Sequence, residues 1–238
     1  MTTRPIIVKS LIVAFSVLLL FSGCNSAKSS WKAVSQKHLE SHLAKHNFLY
    51  NSAFVNNAGL IEIDARGCPI SDISCLESMP LEVLILAKTQ VADLGPLQEL
   101  RTLKKLDLSR TLVANLNPLE NLNIERLDIS ATRVTELSSL RKLRISFLNL
   151  ANTRIIDLSP INVGALKTLN LVDADMYDLS PLSAATLESI YFSPQHFSGT
   201  KEQLQVLRNM KTLTCINFYS NPKQFWKEYD AGKLSQKK

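Results

Sequence analysis

The chain has 238 residues, of which 45% are hydrophobic and 20% are charged, a composition that excludes disorder as a whole. Its seven glycines are too widely separated to form the GxGxxG or GxxxxGK[ST] loops that bind nucleotide phosphates. The formal net charge is +6, but the lysines and arginines are mostly interspersed with acidic residues, which argues against nucleic-acid binding.

The N-terminal segment has the layout of an export signal. Residues 1–23 carry two positive charges followed by an apolar run that ends in Ser-Gly directly before Cys24. This ending resembles a bacterial lipobox, in which the cysteine is acylated, although Phe21 stands where that family usually has Leu. The resemblance implies lipidation of Cys24, a polar tether at 24–30, and an exported protein anchored by lipid to a bacterial membrane in the cell envelope. The alternatives are an uncleaved membrane anchor and an ordinary secretory signal with an incidental cysteine.

The next segment, residues 31–57, is predicted to be an N-terminal cap built on one amphipathic helix from 31 to 50. Three histidines, His38, His42 and His46, recur every four residues and share one face of this helix. Imidazoles one turn apart can chelate a divalent transition metal, so these residues are candidate metal ligands. A structural zinc site needs four protein ligands, however, and the alternative is that this face packs on the first repeat with the histidines at its polar edge.

Residues 58–222 repeat one hydrophobic pattern, LxxLxLxxTxIxxLxxL, every 21 or 22 residues. The five clearest copies begin at Leu81, Leu103, Ile124, Ile145 and Leu166. Weaker copies begin at Leu60, Leu187 and Leu213, as expected for terminal repeats that face water on one side. Positions 4 and 6 are predicted to point inward from a short strand, and the last copy places Phe218 at position 6. No single coil can bury its own apolar face, so stability must come from the neighbouring coils.

Two further columns of the pattern describe how each coil turns. An inward polar side chain at position 9 is expected to satisfy backbone groups that the turn leaves unpaired. This position holds Thr89, Thr111, Thr132, Thr153 and, in the last copy, Asn221. Ser or Asn before Pro in the second half of most coils predicts a short helical turn that begins with a capping hydroxyl or amide.

These residues resemble the short leucine-rich repeats of the SDS22-like and internalin-like class. The resemblance covers about two thirds of the chain. It implies an α/β solenoid: a right-handed superhelix with short parallel strands on its concave face, 3₁₀ or helical turns on its convex face, and helical caps at both ends. Residues 223–238 would form the C-terminal cap and tail. The stretches 208–213 and 225–228 also look like the end of repeat arrays that some bacteria attach behind Ser/Thr kinase domains, but no kinase motif is present.

The predicted concave face is the candidate binding surface, because strand positions 3 and 5 point there and solenoids of this kind usually bind partners on that side. The candidate contact residues are Val83, Ile85, Lys105, Asp107, Arg126, Asp128, Phe147, Asn149, Asn170 and Tyr191. Apolar and aromatic side chains on a solvent-facing sheet are typical interface anchors. The competing interpretation is structural, since exposed strands need polar residues and neighbouring opposite charges relieve repulsion between like charges.

Chemistry beyond binding has little support in the sequence. A disulfide between Cys68 and Cys75 would staple the first coil, and the alternative is that Cys68 is a buried thiol in the inward column. GxSxG, CxxC and paired-carboxylate motifs are absent, so no enzyme activity and no cofactor are predicted. The sequence therefore predicts a monomeric interaction module that binds a protein or peptide and not nucleic acid. A metal-binding envelope protein and a purely structural surface lipoprotein are the alternatives.

Overall fold

A computed structural model describes residues 35–176, 178–194 and 201–234. The predicted signal peptide, its lipidation site Cys24, the tether, the first four residues of the cap and the last four of the tail lie outside the described residues. Within the described ranges, no helix combines the length and the apolar character that crossing a bilayer requires.

The described residues form three α-helices, nine β-strands and a series of 3₁₀ turns. The α-helices are α1 (Gln36–Lys45), α2 (Lys201–Arg208) and α3 (Pro222–Asp230). The strands are β1 (Ser52–Val55), β2 (Ile61–Asp64), β3 (Leu81–Ile85), β4 (Lys105–Asp107), β5 (Arg126–Asp128), β6 (Phe147–Asn149), β7 (Thr168–Leu171), β8 (Ser189–Phe192) and β9 (Cys215–Ile216). The 3₁₀ turns are Ser74–Leu76, Gly95–Leu97, Asn117–Leu119, Ser138–Leu140, Val163–Ala165 and Ser180–Ala184.

The strands form one sheet in chain order from β1 to β9, and each strand from β2 onward pairs in parallel with the next. The register follows the repeat, since Leu84 of β3 pairs with Leu106 of β4 and Leu106 pairs with Leu127 of β5. Side chains at positions 4 and 6 are buried throughout the five central coils. The predicted α/β solenoid with parallel strands and 3₁₀ turns is therefore confirmed.

The threonine column at position 9 satisfies the backbone as predicted. Each hydroxyl donates to the carbonyl oxygen of the residue at position 6 in its own coil, over 2.6–2.7 Å from Thr89, Thr111, Thr132 and Thr153. The residue just before each threonine has a positive φ, for example 60° at Lys88. Its N–H still donates to the next coil, at 2.8 Å from Lys88 to the Ser109 carbonyl. The chain therefore turns away from the strand while its backbone carbonyl at position 6 and N–H at position 8 both remain hydrogen-bonded.

The 3₁₀ turns begin differently from the sequence interpretation. Where Ser or Asn was expected to cap the turn, the capping atom is a carboxylate or amide oxygen two residues earlier. Asn115 accepts the N–H of Asn117 at 2.9 Å, and Asp178 accepts the N–H of Ser180 at 2.8 Å. The aspartate and asparagine side chains are long enough to form this Asx turn, which leaves the residue before Pro free of the capping role.

The N-terminal cap is shorter in helix than predicted and gains a strand. Helix α1 ends at Lys45 because Asn47 adopts a left-handed conformation with φ of 50°. The N–H of Asn47 donates to Ala44 and that of Phe48 to Leu43, which is the Schellman arrangement. The chain then forms β1, which pairs antiparallel with β2. The prediction of one helix from 31 to 50 was therefore wrong in its C-terminal part.

The last coil departs from the repeat. Phe218 was predicted to point inward at position 6, but its side chain is 98% exposed. The chain turns back after β9, so that Ile216 and Tyr219 hydrogen-bond to each other through their backbones. Asn221 does not join the threonine column but caps α3 by accepting the N–H of Lys223 at 3.0 Å. The tight turn at Asn217, which has φ of 54°, shifts every later residue out of the repeat frame.

Candidate functional site

The candidate site is the concave face, defined here as the side of the sheet turned away from the core. In the parallel register, position 3 forms one row across β3 to β6, and position 5 forms a second row beside it. The first row is Val83, Lys105, Arg126 and Phe147. The second row is Ile85, Asp107, Asp128 and Asn149. The structure thus brings eight of the ten sequence-predicted contact residues onto four adjacent strands.

A concavity of about 210 Å³ lies over these strands. Val83 and Ile85 line one side of it, and Phe147 lines the other. All three side chains are partly buried, although they stand on the solvent-facing side of the sheet. The Phe147 ring also carries the guanidinium of Arg126, whose central carbon lies 4.2 Å from the ring centroid. This cation–π contact fixes two of the candidate anchors against each other.

The carboxylates of the second row support the fold. Asp107 accepts the backbone N–H and the hydroxyl of Ser109, at 2.9 and 2.6 Å. Asp128 makes the same two contacts with Ser130 and also accepts the Asn149 side-chain amide at 2.7 Å. These hydrogen bonds hold the turn that follows each strand, so position 5 has a structural role that the repeat pattern alone did not reveal.

The same capping continues in the later coils. The side-chain oxygen of Asn149 accepts the N–H of Ala151 at 3.1 Å, and that of Asn170 accepts the N–H of Val172 at 3.0 Å. For Asn149 and Asn170 the structure therefore favours the structural interpretation over a dedicated contact role. The amide nitrogen of Asn149 donates to Asp128 across the second row of the concave face.

The cations of the first row have no comparable partner. Lys105 and Arg126 are both exposed, and neither has a carboxylate oxygen within 4.0 Å among the residues the structure describes. The neighbouring ion pairs join residues at position 2 of successive coils, as between Lys104 and Glu82 at 3.2 Å. Two adjacent cations are thus left facing solvent beside the concavity.

Tyr191 lies apart from this group, toward the C-terminal end of the sheet. Its hydroxyl is 3.9 Å from the thiol of Cys215, and this contact together with burial raises the pKa of Tyr191. A second cavity of about 520 Å³ adjoins it and is also lined by Phe192, Phe218 and Tyr219. The structure therefore separates Tyr191 from Phe147 by a strand, β7, whose concave side carries Thr168 and Asn170.

Phe54 is a concave-face residue that the sequence interpretation missed. It lies on β1 directly opposite Glu62 of β2, and its side chain is 46% exposed. Opposite residues of an antiparallel pair project to the same side of the sheet, so Phe54 shares the face of the position 3 row. The alternation in Ser52–Val55, followed by a turn that contains Gly59, was the available signal for this strand.

Two of the three candidate metal-binding histidines, His42 and His46, lie close together. The His42 and His46 rings lie 4.7 Å apart, and the Nε2 atom of His42 is 2.8 Å from the carbonyl oxygen of Cys75. Burial, together with the nearby His42, lowers the pKa of His46. Within residues 35–176, 178–194 and 201–234, no three His, Cys, Asp or Glu side chains are grouped closely enough to hold a metal ion. The contact of His42 matches the packing interpretation, in which this helix face lies on the first coil.

Cys68 and Cys75 are free thiols in the structure, with no bridge between them. Both are partly buried against the core. Burial raises the pKa of both thiols, to about 11 for Cys75, and the Cys68 sulfur also lies 3.9 Å from the side-chain oxygen of Asn51. Each thiol therefore has its own packing environment within the first coil.

Comparisons with known proteins find likeness in structure. An internalin C2 from Listeria monocytogenes superposes with a TM-score of 0.57 and 22% identity over 66% of this chain and 70% of that one. The repeat fold is that of the internalins. An internalin (inlF) from the same species superposes with a TM-score of 0.53 and 24% identity over 64% of this chain. The match spans about half the length of that protein. No protein-family model and no curated protein sequence matches the chain.

Proposed function

We propose that this protein is a non-enzymatic interaction module that binds a protein or peptide partner on its concave face. The observation that carries the proposal is the cluster of partly buried apolar side chains on a solvent-facing sheet, formed by Val83, Ile85 and Phe147 around one concavity. Large side chains at the centre of a recess usually dominate the free energy of protein association. The internalin-like fold supports the proposal because it offers the same sheet face.

The N-terminal sequence supports a location for this module. We propose that the mature chain begins at Cys24, carries lipid there and is held in a bacterial cell envelope by it. Metabolic labelling with a fatty acid should label the wild-type chain and not Cys24→Ala. Label retained by the variant would contradict the anchor without affecting the binding proposal.

Partner capture tests the binding proposal. The mature chain, immobilised and exposed to envelope extract, should retain at least one protein that Phe147→Ala and Ile85→Ala each retain about tenfold less, since a contact anchor typically contributes more than 1 kcal/mol. Leu112→Ala and Ile156→Ala are the matched controls, because both side chains are exposed and apolar but lie outside the strands. Equal retention by all four variants and the wild type would overturn the concave-face proposal.

A further inference from the structure

The adjacent cations Lys105 and Arg126 are the feature of the concave face that folding does not explain. They are direct neighbours in the register of β4 and β5, where strands lie about 4.8 Å apart. Like charges placed directly opposite each other destabilise a sheet. As described above, neither cation has a carboxylate within 4.0 Å in the described part of the chain. Neither cation is therefore neutralised by a direct ion pair within the described part of the chain.

The carboxylates on the same strands are engaged elsewhere. Asp107 and Asp128 lie two residues further along, about 6.6 Å away at 3.3 Å per residue. Each directs one oxygen to the turn that follows its strand, and Asp128 gives the other oxygen to Asn149. These acids are thus held by the turns rather than by the two cations, and a ligand carboxylate would supply the direct ion pair that the cations lack.

Arg126 is also positioned for such a ligand. Its guanidinium carbon lies over the Phe147 ring, 4.2 Å from the ring centroid, and the guanidinium donates no hydrogen bond to any residue in the described ranges. The cation–π contact therefore holds the side chain while its N–H donors keep their capacity for a ligand. A guanidinium held in this way loses less side-chain entropy when it binds a carboxylate through two parallel hydrogen bonds.

The neighbours of the two cations define the rest of the ligand. Val83 precedes Lys105 in the row and Phe147 follows Arg126, so the row reads apolar, cation, cation, aromatic over about 14 Å at the spacing of adjacent strands. The second row, with Asp107 and Asp128, would repel a chain of phosphates laid across the sheet. A single carboxylate with apolar groups on both sides fits this arrangement better than a polyanion.

We propose that the row from Val83 to Phe147 binds a segment of a protein partner in which an Asp or Glu is flanked by apolar residues. The ligand carboxylate lies between Lys105 and Arg126, and the flanking apolar side chains contact Val83 and Phe147. This inference rests on the proposed function, because it names the chemistry of the partner for the same face.

Selection from a random peptide library displayed on phage tests the inference with the full mature chain as bait. The wild type should enrich peptides with Asp or Glu between apolar residues, and their binding should require Phe147. The charge-reversed variant Lys105→Glu/Arg126→Glu should instead enrich peptides with Lys or Arg at that place. Both substitutions are at exposed positions, and an unchanged thermal midpoint would show that the variant is folded.

A double-mutant cycle gives the quantitative result. A synthetic peptide from the selection should bind the wild type at least tenfold more tightly than its Glu→Gln version, and this difference should vanish on Lys105→Gln/Arg126→Gln. Peptides that need Phe147 but carry no acidic residue, or only basic ones, would overturn the carboxylate inference and leave the proposed function intact. If no enriched peptide depended on Phe147, the proposed function itself would be contradicted.

Discussion

At the N-terminal end of the sheet a strand and a helix extend the structure, whereas at the C-terminal end the last strand stops after two residues. Strand β1 pairs with β2, and Gln36 of α1 then pairs with the outer edge of β1. The Gln36 amide donates to the Ala53 carbonyl at 2.8 Å and accepts the Val55 N–H at 3.0 Å. A side-chain amide thus occupies the edge where another strand could otherwise add.

The C-terminal end uses aromatic packing instead. Strand β9 is followed by a tight turn in which Ile216 and Tyr219 bond to each other, so that little edge remains. Phe225 of α3 is completely buried beneath it. Its ring centroid lies 4.9–6.1 Å from those of Phe192, Tyr219, Trp226 and Tyr229. Both ends bury apolar side chains, since Leu39 and Leu43 of α1 are as completely buried as Phe225 of α3. The ends differ at the sheet edge, which the Gln36 amide closes by polar pairing at the N-terminal end and which a tight turn over the aromatic cluster closes at the C-terminal end.

This difference teaches where each end is vulnerable. Removing a buried aromatic ring loses its burial and leaves a cavity, whereas removing an exposed amide loses hydrogen bonds that water can partly replace. In a solenoid each coil contacts only its neighbours, so damage at one end should remain there. The two ends can consequently be perturbed separately.

Phe225→Ala should have the largest effect. We expect it to lower the free energy of unfolding of the C-terminal coils by about 3–5 kcal/mol, the usual range for a buried Phe. Urea unfolding followed by hydrogen exchange should show early opening from β8 onward and unchanged protection in β3 to β5. Phe218→Ala is the matched control, because its side chain is 98% exposed, and it should change stability by less than about 0.5 kcal/mol. Equal destabilisation by both variants would show that Phe225 does not hold this end.

Gln36→Ala should have an intermediate effect at the opposite end. The two hydrogen bonds to β1 should contribute about 1–2 kcal/mol to docking of the N-terminal cap. Hydrogen exchange should become faster in β1, and light scattering should detect self-association through the freed edge. Gln90→Ala is the control, because the Gln90 side chain is exposed and has no side-chain hydrogen bond to a described residue. If Gln36→Ala stayed monomeric and exchanged its β1 amide hydrogens no faster than Gln90→Ala, Gln36 would not be the residue that protects this edge.

The contrast between the ends also explains what could be predicted from the sequence. The central coils were predictable because Leu106, Thr111 and their counterparts recur at fixed spacing, and each has one physical role in every coil. Terminal coils break this periodicity. The four residues of β1 show only a weak alternation of apolar and polar side chains within a polar segment. Phe218 keeps the repeat spacing in the sequence, but the turn at Asn217 removes it from the inward position in the structure.

The candidate site was predictable only in part, for a related reason. Strand parity alone places Val83, Lys105, Arg126 and Phe147 on one face, and the structure confirms that placement. Parity does not say which atoms a polar side chain reaches. Asp107 could pair with Lys105 or with the turn after its own strand, and only the three-dimensional path of that turn decides for Ser109.

The smallest expected effect is a change in the labelling rate of Cys75, a thiol that can report whether the N-terminal cap is docked. His42 of α1 contacts its carbonyl oxygen at 2.8 Å, and burial is the main reason that its pKa is raised to about 11 from 9.0. At pH 9 a thiol with the ordinary pKa of 9.0 is about half ionised, whereas Cys75 in the folded chain is only about 1% ionised. Alkylation of Cys75 should therefore be about 50-fold slower in the folded than in the unfolded chain. The raised pKa favours the protonated form, so stability from this group is complete below pH 9 and declines above it.

Iodoacetamide labelling at pH 9, with mass spectrometric readout of Cys75 and with Cys68 and Cys215 replaced by Ser, measures this rate. Because α1 covers the first coil, Gln36→Ala should accelerate labelling while Phe225→Ala should leave it unchanged. Acceleration by both variants would show that the two ends are coupled through the central coils. Acceleration by neither would mean that Cys75 is shielded by its own coil, or by an α1 that its buried Leu39 and Leu43 keep docked without the Gln36 hydrogen bonds.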